Sequence, residues 1–195
     1  MGRGRLEAFS DGVFAIIITI MVLELKAPQG ASLSSLAPLL PVFLSYVLSF
    51  IYLAIYWNNH HHMLHATPGV TGGVLWANMH LLFWLSLVPF ATAWMGQNSF
   101  AKAPTALYGV PLFMAAVAYW IMARAIVKAH PRSTLAEAMG SGVKERASLI
   151  AYALAIPLSF VHAALAGAIY VGVAVAWLVP DKRIERALAR EGSAG

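Results

Sequence analysis

Long apolar runs separated by short polar breaks dominate this chain of 195 residues. A helix rises 1.5 Å per residue and a bilayer core is about 30 Å thick, so about twenty apolar residues can cross it. Runs of this length predict membrane-spanning helices over residues 6–25, 39–59, 73–94 and 105–127. The breaks between them contain the loop-forming residues Pro28, Gly30, Pro38, Pro41, Pro68, Gly69, Gly72, Gly73 and Pro104.

A further apolar tract, residues 147–179, is too long for one crossing, because about 33 residues would make a helix near 50 Å long. We therefore predict two helices, over residues 147–160 and 163–179, with the break between Phe160 and His162. Pro157 is expected to kink the first of these helices rather than end it. The pattern predicts an all-α polytopic membrane protein, a single domain of six transmembrane helices over residues 1–195, with a charged tail over residues 181–195.

Composition supports this fold class and excludes others. The chain is 60% hydrophobic and only 11% charged, whereas soluble domains contain about 25% charged residues. A cleaved signal peptide is disfavoured, because the first apolar run is too long and contains Asp11. The absence of cysteine excludes disulfides and thiolate chemistry. No metalloprotease motif, phosphate loop or paired carboxylates appear, so we expect neither an enzyme nor a cofactor.

The basic residues predict the orientation of the helices. The net charge is +5, but Lys and Arg adjoin apolar segments instead of forming a nucleic-acid-binding face. With six helices, eleven of the thirteen Lys and Arg fall on the side of both termini, including the polar loop over residues 131–143. Lys26 and Lys102 fall on the other side. The positive-inside rule then predicts a multi-pass protein of the cell membrane with both termini cytoplasmic.

The first helix contains an apolar stripe. Ile16, Thr19, Ile20 and Leu23 have the i, i+3, i+4, i+7 spacing that places them on one face, and Gly12 extends it. From the stripe alone, a surface that faces lipid or packed neighbours is favoured over a pore lining, because apolar positions have no special meaning in a spanning helix.

Polar residues at the start of this helix lie off the stripe. Ser10 and Asp11 fall about 120° and 220° round the helix from Ile16, so they are expected to face neighbouring helices. Ionisable groups in membrane helices are costly and need partners. Asn78 and His80 of the third helix, with Trp76, are the expected partners in a buried polar network. A structural role for Ser10 and Asp11 is as well supported as a direct functional one.

The cluster of His60, His61, His62 and His65 has two interpretations. His61 and His65 are four residues apart, and imidazole binds Zn, Cu or Ni. No nearby acidic residue completes a known metal geometry, so packing or hydrogen bonding is favoured and no metal site is predicted. A pH response through these residues stays open, since unperturbed histidine titrates near pH 6.5.

Three segments carry a resemblance to a known family. The first helix resembles the R-x-x-x-F-S-D signature of the prokaryotic transmembrane-protein-175 potassium channels, with Arg5, Phe9, Ser10 and Asp11 at its fixed positions. Residues 57–65 resemble the family's Trp/His segment at the end of helix two. Residues 76–90, which contain Trp76, Asn78 and His80, resemble its third-helix segment. The six-helix layout extends the resemblance over nearly the whole chain.

The resemblance implies a homotetramer whose first helices line a central pore. Ile16, Ile20 and Leu23 match the family's narrow apolar layers, and Thr19 matches its hydroxyl layer, which is linked to potassium preference. These are the same residues that form the stripe. The implied permeant ion is K⁺, with other monovalent cations passing more weakly.

The physical consequences of such a pore are specific. The chain has no T-V-G-Y-G segment and hence no carbonyl filter of the usual potassium-channel kind. A ring of Ile16 side chains would be a hydrophobic constriction that gates by dewetting. Glu24 is expected at the outer mouth or as an interfacial acid beside Lys26. The alternative function is a small proton-coupled transporter, which normally needs ionisable residues near the bilayer midplane.

Overall fold

The computed structural model describes residues 2–131 and 142–178, and within them every regular element is helical. The helices are α1 (Arg3–Leu23), α2 (Leu40–His65), α3 (Gly72–Ser86), α4 (Val88–Gln97), α5 (Lys102–Ala129), α6 (Val143–Val161) and α7 (Ala163–Leu178), with a 3₁₀ segment (Leu33–Leu39) before α2. The helices α3 and α4 together form one long apolar segment, so the described helices group into six successive segments. The predicted tail over residues 181–195, and residues 132–141 of the predicted polar loop, lie outside the described residues.

Four segments are long and apolar enough to span a membrane: Arg3–Leu23, Leu33–His65, Gly72–Gln97 and Lys102–Ala129. The helix α7 is a shorter apolar helix. The first turns of α6 carry Lys144, Glu145 and Arg146, so its apolar part begins only at Ala147. The break between α6 and α7 falls at His162, whose backbone is extended, and Pro157 lies inside α6.

Two helices differ in extent from the prediction. The helix α2 continues to His65 instead of ending at Asn59, because the histidines are compatible with a helix and the first breaker after them is Pro68. The predicted third helix is interrupted at Leu87, between α3 and α4. Pro89 explains this break, since proline has no N–H to bond the carbonyl of Leu85 and its ring crowds that group.

The helices alternate in direction, which places both ends of the described chain on one side of the bundle. At this end, Arg3 of α1 donates from Nη1 to the carbonyl of His65 at 3.1 Å. Nε2 of His130, after α5, lies 2.8 Å from the carbonyl oxygen of Gly69. Trp177 of α7 donates from Nε1 to the hydroxyl of Ser148 in α6 at 2.8 Å. At the opposite end, α1 and α4 meet through Glu24 and Gln97.

Buried hydroxyl groups tie the middle of the bundle together. The Ser49 hydroxyl of α2 lies 2.7 Å from that of Thr92 in α4 and 3.0 Å from that of Tyr108 in α5. Tyr52 of α2 donates to the carbonyl of Tyr170 in α7 at 2.6 Å. The hydroxyl of Tyr170 in turn donates to the carbonyl of Thr105. In lipid, bonds of this kind and close packing hold helices together, because the surrounding chains are as apolar as the helices.

Two glycines allow helices to approach closely. A methyl group on Gly96 of α4 would lie 2.8 Å from Cα of Val42 and would overlap the hydroxyl of Ser45, both in or beside the first turns of α2. A methyl group on Gly109 of α5 would overlap the hydroxyl of Tyr170 in α7. Small residues at helix interfaces are the usual means of close packing in membranes.

We predict that Gly96→Ala destabilises the fold, because the backbone of α2 would have to move to admit the methyl group. Overpacking of this kind costs about 1–3 kcal/mol, which lowers the apparent Tm by several degrees. The matched control is Gly172→Ala in α7, where an added methyl group meets nothing within 4 Å. Thermal unfolding of the detergent-solubilised protein measures both, and equal Tm values for the two variants would contradict the prediction.

Candidate functional site

The first helix has two distinct faces. One face is buried within the subunit and consists of Leu6, Ser10, Phe14, Ile17 and Met21. The other is exposed and carries every residue of the predicted stripe: Gly12, Ile16, Thr19, Ile20 and Leu23. Of these, Ile16 is 59% exposed and Leu23 is 77% exposed. Because no described residue of the same chain covers these large apolar side chains, the stripe faces lipid, another subunit or a pore.

The exposed face continues toward the start of α1. Phe9 is 48% exposed, and Arg5 is also exposed. Phe9 lies seven residues before Ile16 and therefore on the same face. The family signature groups both residues with Ser10 and Asp11, whereas the structure places them on the exposed face with the stripe. The seven-residue spacing between Phe9 and Ile16 in the sequence indicates that both residues lie on one face of the helix.

Thr19 presents its hydroxyl oxygen as an acceptor. The Thr19 hydroxyl lies 2.9 Å from the carbonyl oxygens of both Ala15 and Ile16, and it donates its hydrogen to this pair. A hydroxyl group has one hydrogen and two acceptor lone pairs. Because the hydrogen is engaged by the helix backbone, the remaining electron density of the oxygen is available on the exposed face, where it suits a cation.

A buried polar network joins α1, α2 and α3. Asn78 of α3 donates from Nδ2 to the hydroxyl of Ser10 at 3.1 Å, and that hydroxyl donates to the carbonyl of Leu6 at 2.8 Å. Nε2 of His60 in α2 lies 2.7 Å from Oδ1 of Asn78. Since this amide oxygen accepts, the proton of His60 is on Nε2. All three side chains, Ser10, His60 and Asn78, are fully buried.

Asp11 has a different partner from the one predicted. Nε1 of Trp57 in α2 donates to Oδ1 of Asp11 at 2.9 Å. One turn earlier, Glu7 of α1 lies 3.3 Å from Nδ1 of His61, also in α2. Sequence reasoning missed Trp57 and His60 as contacts of α1, although both lie in the Trp/His segment that carried the family resemblance. The first half of α1 is thus held along α2 by three successive polar contacts with Arg3, Glu7 and Asp11.

Trp76 and His80, which were also predicted for the network, lie outside it. The Trp76 side chain is 78% exposed on α3. Nε2 of His80 accepts from Nε1 of Trp84 at 2.9 Å, within the same helix, instead of reaching Asp11. Both differences have one cause, since Asn78 takes the inward position and its neighbours two residues away point to other sides of α3.

Glu24 lies at the opposite end of α1 from the network. Its Oε2 accepts from Nε2 of Gln97 at 3.3 Å, and the residue is exposed. The carboxylate therefore stands at the end of the exposed stripe, one residue beyond Leu23.

The histidines of the cluster point to different sides of α2. His60 is buried in the network, while the rings of His61 and His65 stack with centroids 6.1 Å apart. Within residues 2–131 and 142–178, no group of three or more His, Cys, Asp or Glu side chains could hold a metal ion. In the structure these histidines contact α1 and one another.

Comparison with known proteins places this arrangement among ion channels. The family model of the endosomal/lysosomal potassium channel TMEM175 matches residues 5–89. A protein named a potassium channel from Chryseobacterium sp. (strain P1-3) is 56% identical over 96% of this chain and 98% of its own length. Another from Streptomyces collinus (strain DSM 40733 / Tue 365) is 30% identical over 83% of this chain and 84% of its own length.

The fold also matches a solved structure. The crystal structure of a lysosomal potassium-selective channel TMEM175 homolog from Chamaesiphon minutus superposes with a TM-score of 0.77. The two chains are 28% identical, and the match covers 91% of this chain and 96% of that one. The α1–α3 site described above falls within the region matched by the family model.

Proposed function

The chain belongs to the TMEM175 family, and we propose that it is a potassium-preferring cation channel, a homotetramer in which the exposed stripe of α1 lines a shared central pore. The observation that carries this proposal is the outward position of Ile16, Thr19, Ile20 and Leu23 on a helix whose opposite face is buried. Relatives of similar length are named potassium channels, which supports K⁺ as the permeant ion. A passive channel is favoured over a proton-coupled transporter by the same relatives.

A pore of this kind would be narrowest at its apolar rings. Ile16, Ile20 and Leu23 lie on successive turns, so a tetramer would place them at three levels along the axis. Narrow apolar rings exclude water and gate by dewetting. They favour the ion that sheds its hydration shell most readily. Because K⁺ is larger and more weakly hydrated than Na⁺, it would pass more easily, with modest discrimination.

Thr19 would supply the polar level between these rings. Its hydroxyl hydrogen is held by the carbonyls of Ala15 and Ile16, so its lone pairs are what the exposed face offers. Four such oxygens would replace part of the hydration of a passing cation. Glu24, at the end of the stripe, would raise the local concentration of cations at the mouth of the pore.

The charge distribution supports a cytoplasmic position for both termini in the cell membrane. At the end of the bundle where α1 begins, the described residues include six basic side chains: Arg3, Arg5, Arg124, Lys128, Lys144 and Arg146. The opposite end has Lys26 and Lys102. By the positive-inside rule, the first end would face the cytoplasm and Glu24 the outside. The predicted basic tail, outside the described residues, agrees in sign.

The first test is ion flux into liposomes that contain the purified protein. We expect passive movement of K⁺ down its gradient, faster than that of Na⁺ under matched gradients, because dehydration of K⁺ costs less. Protein-free liposomes give the background rate. Movement of K⁺ only under an imposed proton gradient would instead support a proton-coupled transporter.

The second prediction concerns the apolar constriction. Ile16→Asn would wet the narrow ring, so we expect it to raise the flux of both ions and to lower the preference for K⁺. The matched control is Ile150→Asn on α6, where the same residue is 60% exposed compared with 59% for Ile16. Both variants place an amide on an exposed helix face, but only the first is on α1. Unchanged flux and ion preference in Ile16→Asn would remove Ile16 from the gate.

The third prediction concerns the contact that holds α1 against α2. Asp11→Ala removes the acceptor for Trp57 and so loosens the helix that carries the stripe, at a cost of about 1 kcal/mol for a partly exposed bond. We expect fewer tetramers with little change in the ion preference of those that form. Cross-linking and size-exclusion chromatography measure assembly, and liposome flux measures preference. Trp57→Phe removes the donor of the same bond and is expected to behave alike.

The opposite result would also be informative. A normally assembled tetramer of Asp11→Ala with altered ion preference would contradict the structural role of Asp11 and indicate direct contact between this carboxylate and the permeating ion.

A further inference from the structure

A pocket unrelated to the exposed stripe of α1 lies between α2, α5, α6 and α7. It contains about 460 Å³ of space free of protein atoms, including its open mouth. Its walls include Tyr52, Tyr56, Tyr119, Tyr152 and Trp177, together with the carboxylate residue Glu145. A mostly apolar pocket with a small number of polar groups has the general character of a small-molecule site.

The tyrosines form an ordered wall. The rings of Tyr56 and Tyr119 meet edge to face with centroids 6.3 Å apart, and those of Tyr52 and Tyr152 lie at the same centroid distance. Tyr52 and Tyr152 are each 2% exposed. The hydroxyl of Tyr52 is engaged by the carbonyl of Tyr170. The rings are therefore fixed in place, as a binding site requires.

Trp177, another residue of the wall, attracts positive charge. The ammonium group of Lys144 lies 5.8 Å from the centroid of the Trp177 ring. The indole N–H of Trp177 is held by the hydroxyl of Ser148, which fixes the orientation of that ring. A cation over an aromatic face is attracted by the electron density of the ring, most strongly for tryptophan. The position of the Lys144 ammonium group shows that the Trp177 ring attracts a cation.

Glu145 supplies a carboxylate group to the wall of the pocket. It is half-buried at the start of α6. Among residues 2–131 and 142–178, none forms an ion pair or hydrogen bond with its carboxylate. A carboxylate in an aromatic pocket is stabilised by a cation that reaches it, and the aromatic faces provide the remaining contacts.

From this combination we propose that the pocket binds a small organic ammonium ion, with the charged nitrogen between Glu145 and the aromatic faces of Tyr119 and Trp177. Quaternary ammonium groups are recognised by aromatic cages of this composition. Methyl groups on nitrogen match the apolar ring faces of these walls. The inference concerns a site within one subunit and does not depend on the proposed pore.

The test uses choline and its neutral isostere 3,3-dimethylbutan-1-ol, in which carbon replaces the charged nitrogen. The full chain is purified in a maltoside detergent, which contains no ammonium group. Binding is titrated by saturation-transfer NMR on the methyl protons of each probe. We expect saturable binding of choline and at least tenfold weaker binding of the alcohol. Equal binding of the two probes, or no binding of choline, would overturn the proposal.

Two pairs of variants locate the site. Glu145→Gln is expected to weaken choline binding about tenfold, which corresponds to about 1.4 kcal/mol. The same change at Glu24, at the other end of the bundle, is expected to leave binding within twofold. If Glu24→Gln abolished binding and Glu145→Gln did not, choline would be bound at the end of α1 and the proposal would be wrong.

The second pair tests the aromatic contact, and it still tests the proposal if Glu145→Gln fails to fold. Tyr119→Leu removes the ring and keeps an apolar side chain, so we expect binding about threefold to tenfold weaker. Tyr119→Phe keeps the ring and is expected to bind choline within twofold of the unaltered chain. Equal affinities for these two variants would show that the ring face is not part of the site.

Discussion

The rotation of α1 about its own axis is the constraint on which the rest of the site depends. It is fixed by the bonds that link Ser10, Asn78 and His60, and by the bond between Asp11 and Trp57. In water, an apolar stripe would turn inward to the core. In a bilayer that driving force between helices is absent, and polar bonds and close packing decide which face is buried. A few polar side chains therefore expose Ile16 and its neighbours.

This dependence on polar contacts between helices explains which parts of the fold can be predicted from the sequence. The membrane-spanning segments can be predicted from length and hydropathy, since any helix with about twenty apolar residues matches the bilayer. The exposed stripe can be predicted from the spacing of its members, Ile16, Thr19, Ile20 and Leu23. Helix ends were less predictable. The extension of α2 to His65 is compatible with its histidines, but Arg3 and Glu7 also contact its last turns, and the pattern within α2 does not reveal these contacts.

The partners of the polar residues were only partly predictable. Periodicity showed that Ser10 and Asp11 leave the stripe, but the identity of a partner depends on the register between helices. Asn78 reaches Ser10, whereas His80, two residues later, is turned toward Trp84. Similarly, the motif suggested that Phe9 belongs with Ser10 and Asp11. Its angular position relative to Ile16 was the better guide, because adjacent residues of a helix point about 100° apart.

The helix α2 joins the two regions for which functions are proposed. Trp57, His60 and His61 face α1 and hold it in place. Tyr52 and Tyr56, on the preceding turns, form part of the aromatic pocket. The bonds from Ser49 and Tyr52 to α4, α5 and α7 anchor α2 in the bundle. Since α2 is one continuous helix from Leu40 to His65, the wall of the aromatic pocket and the contacts that orient α1 belong to the same structural element.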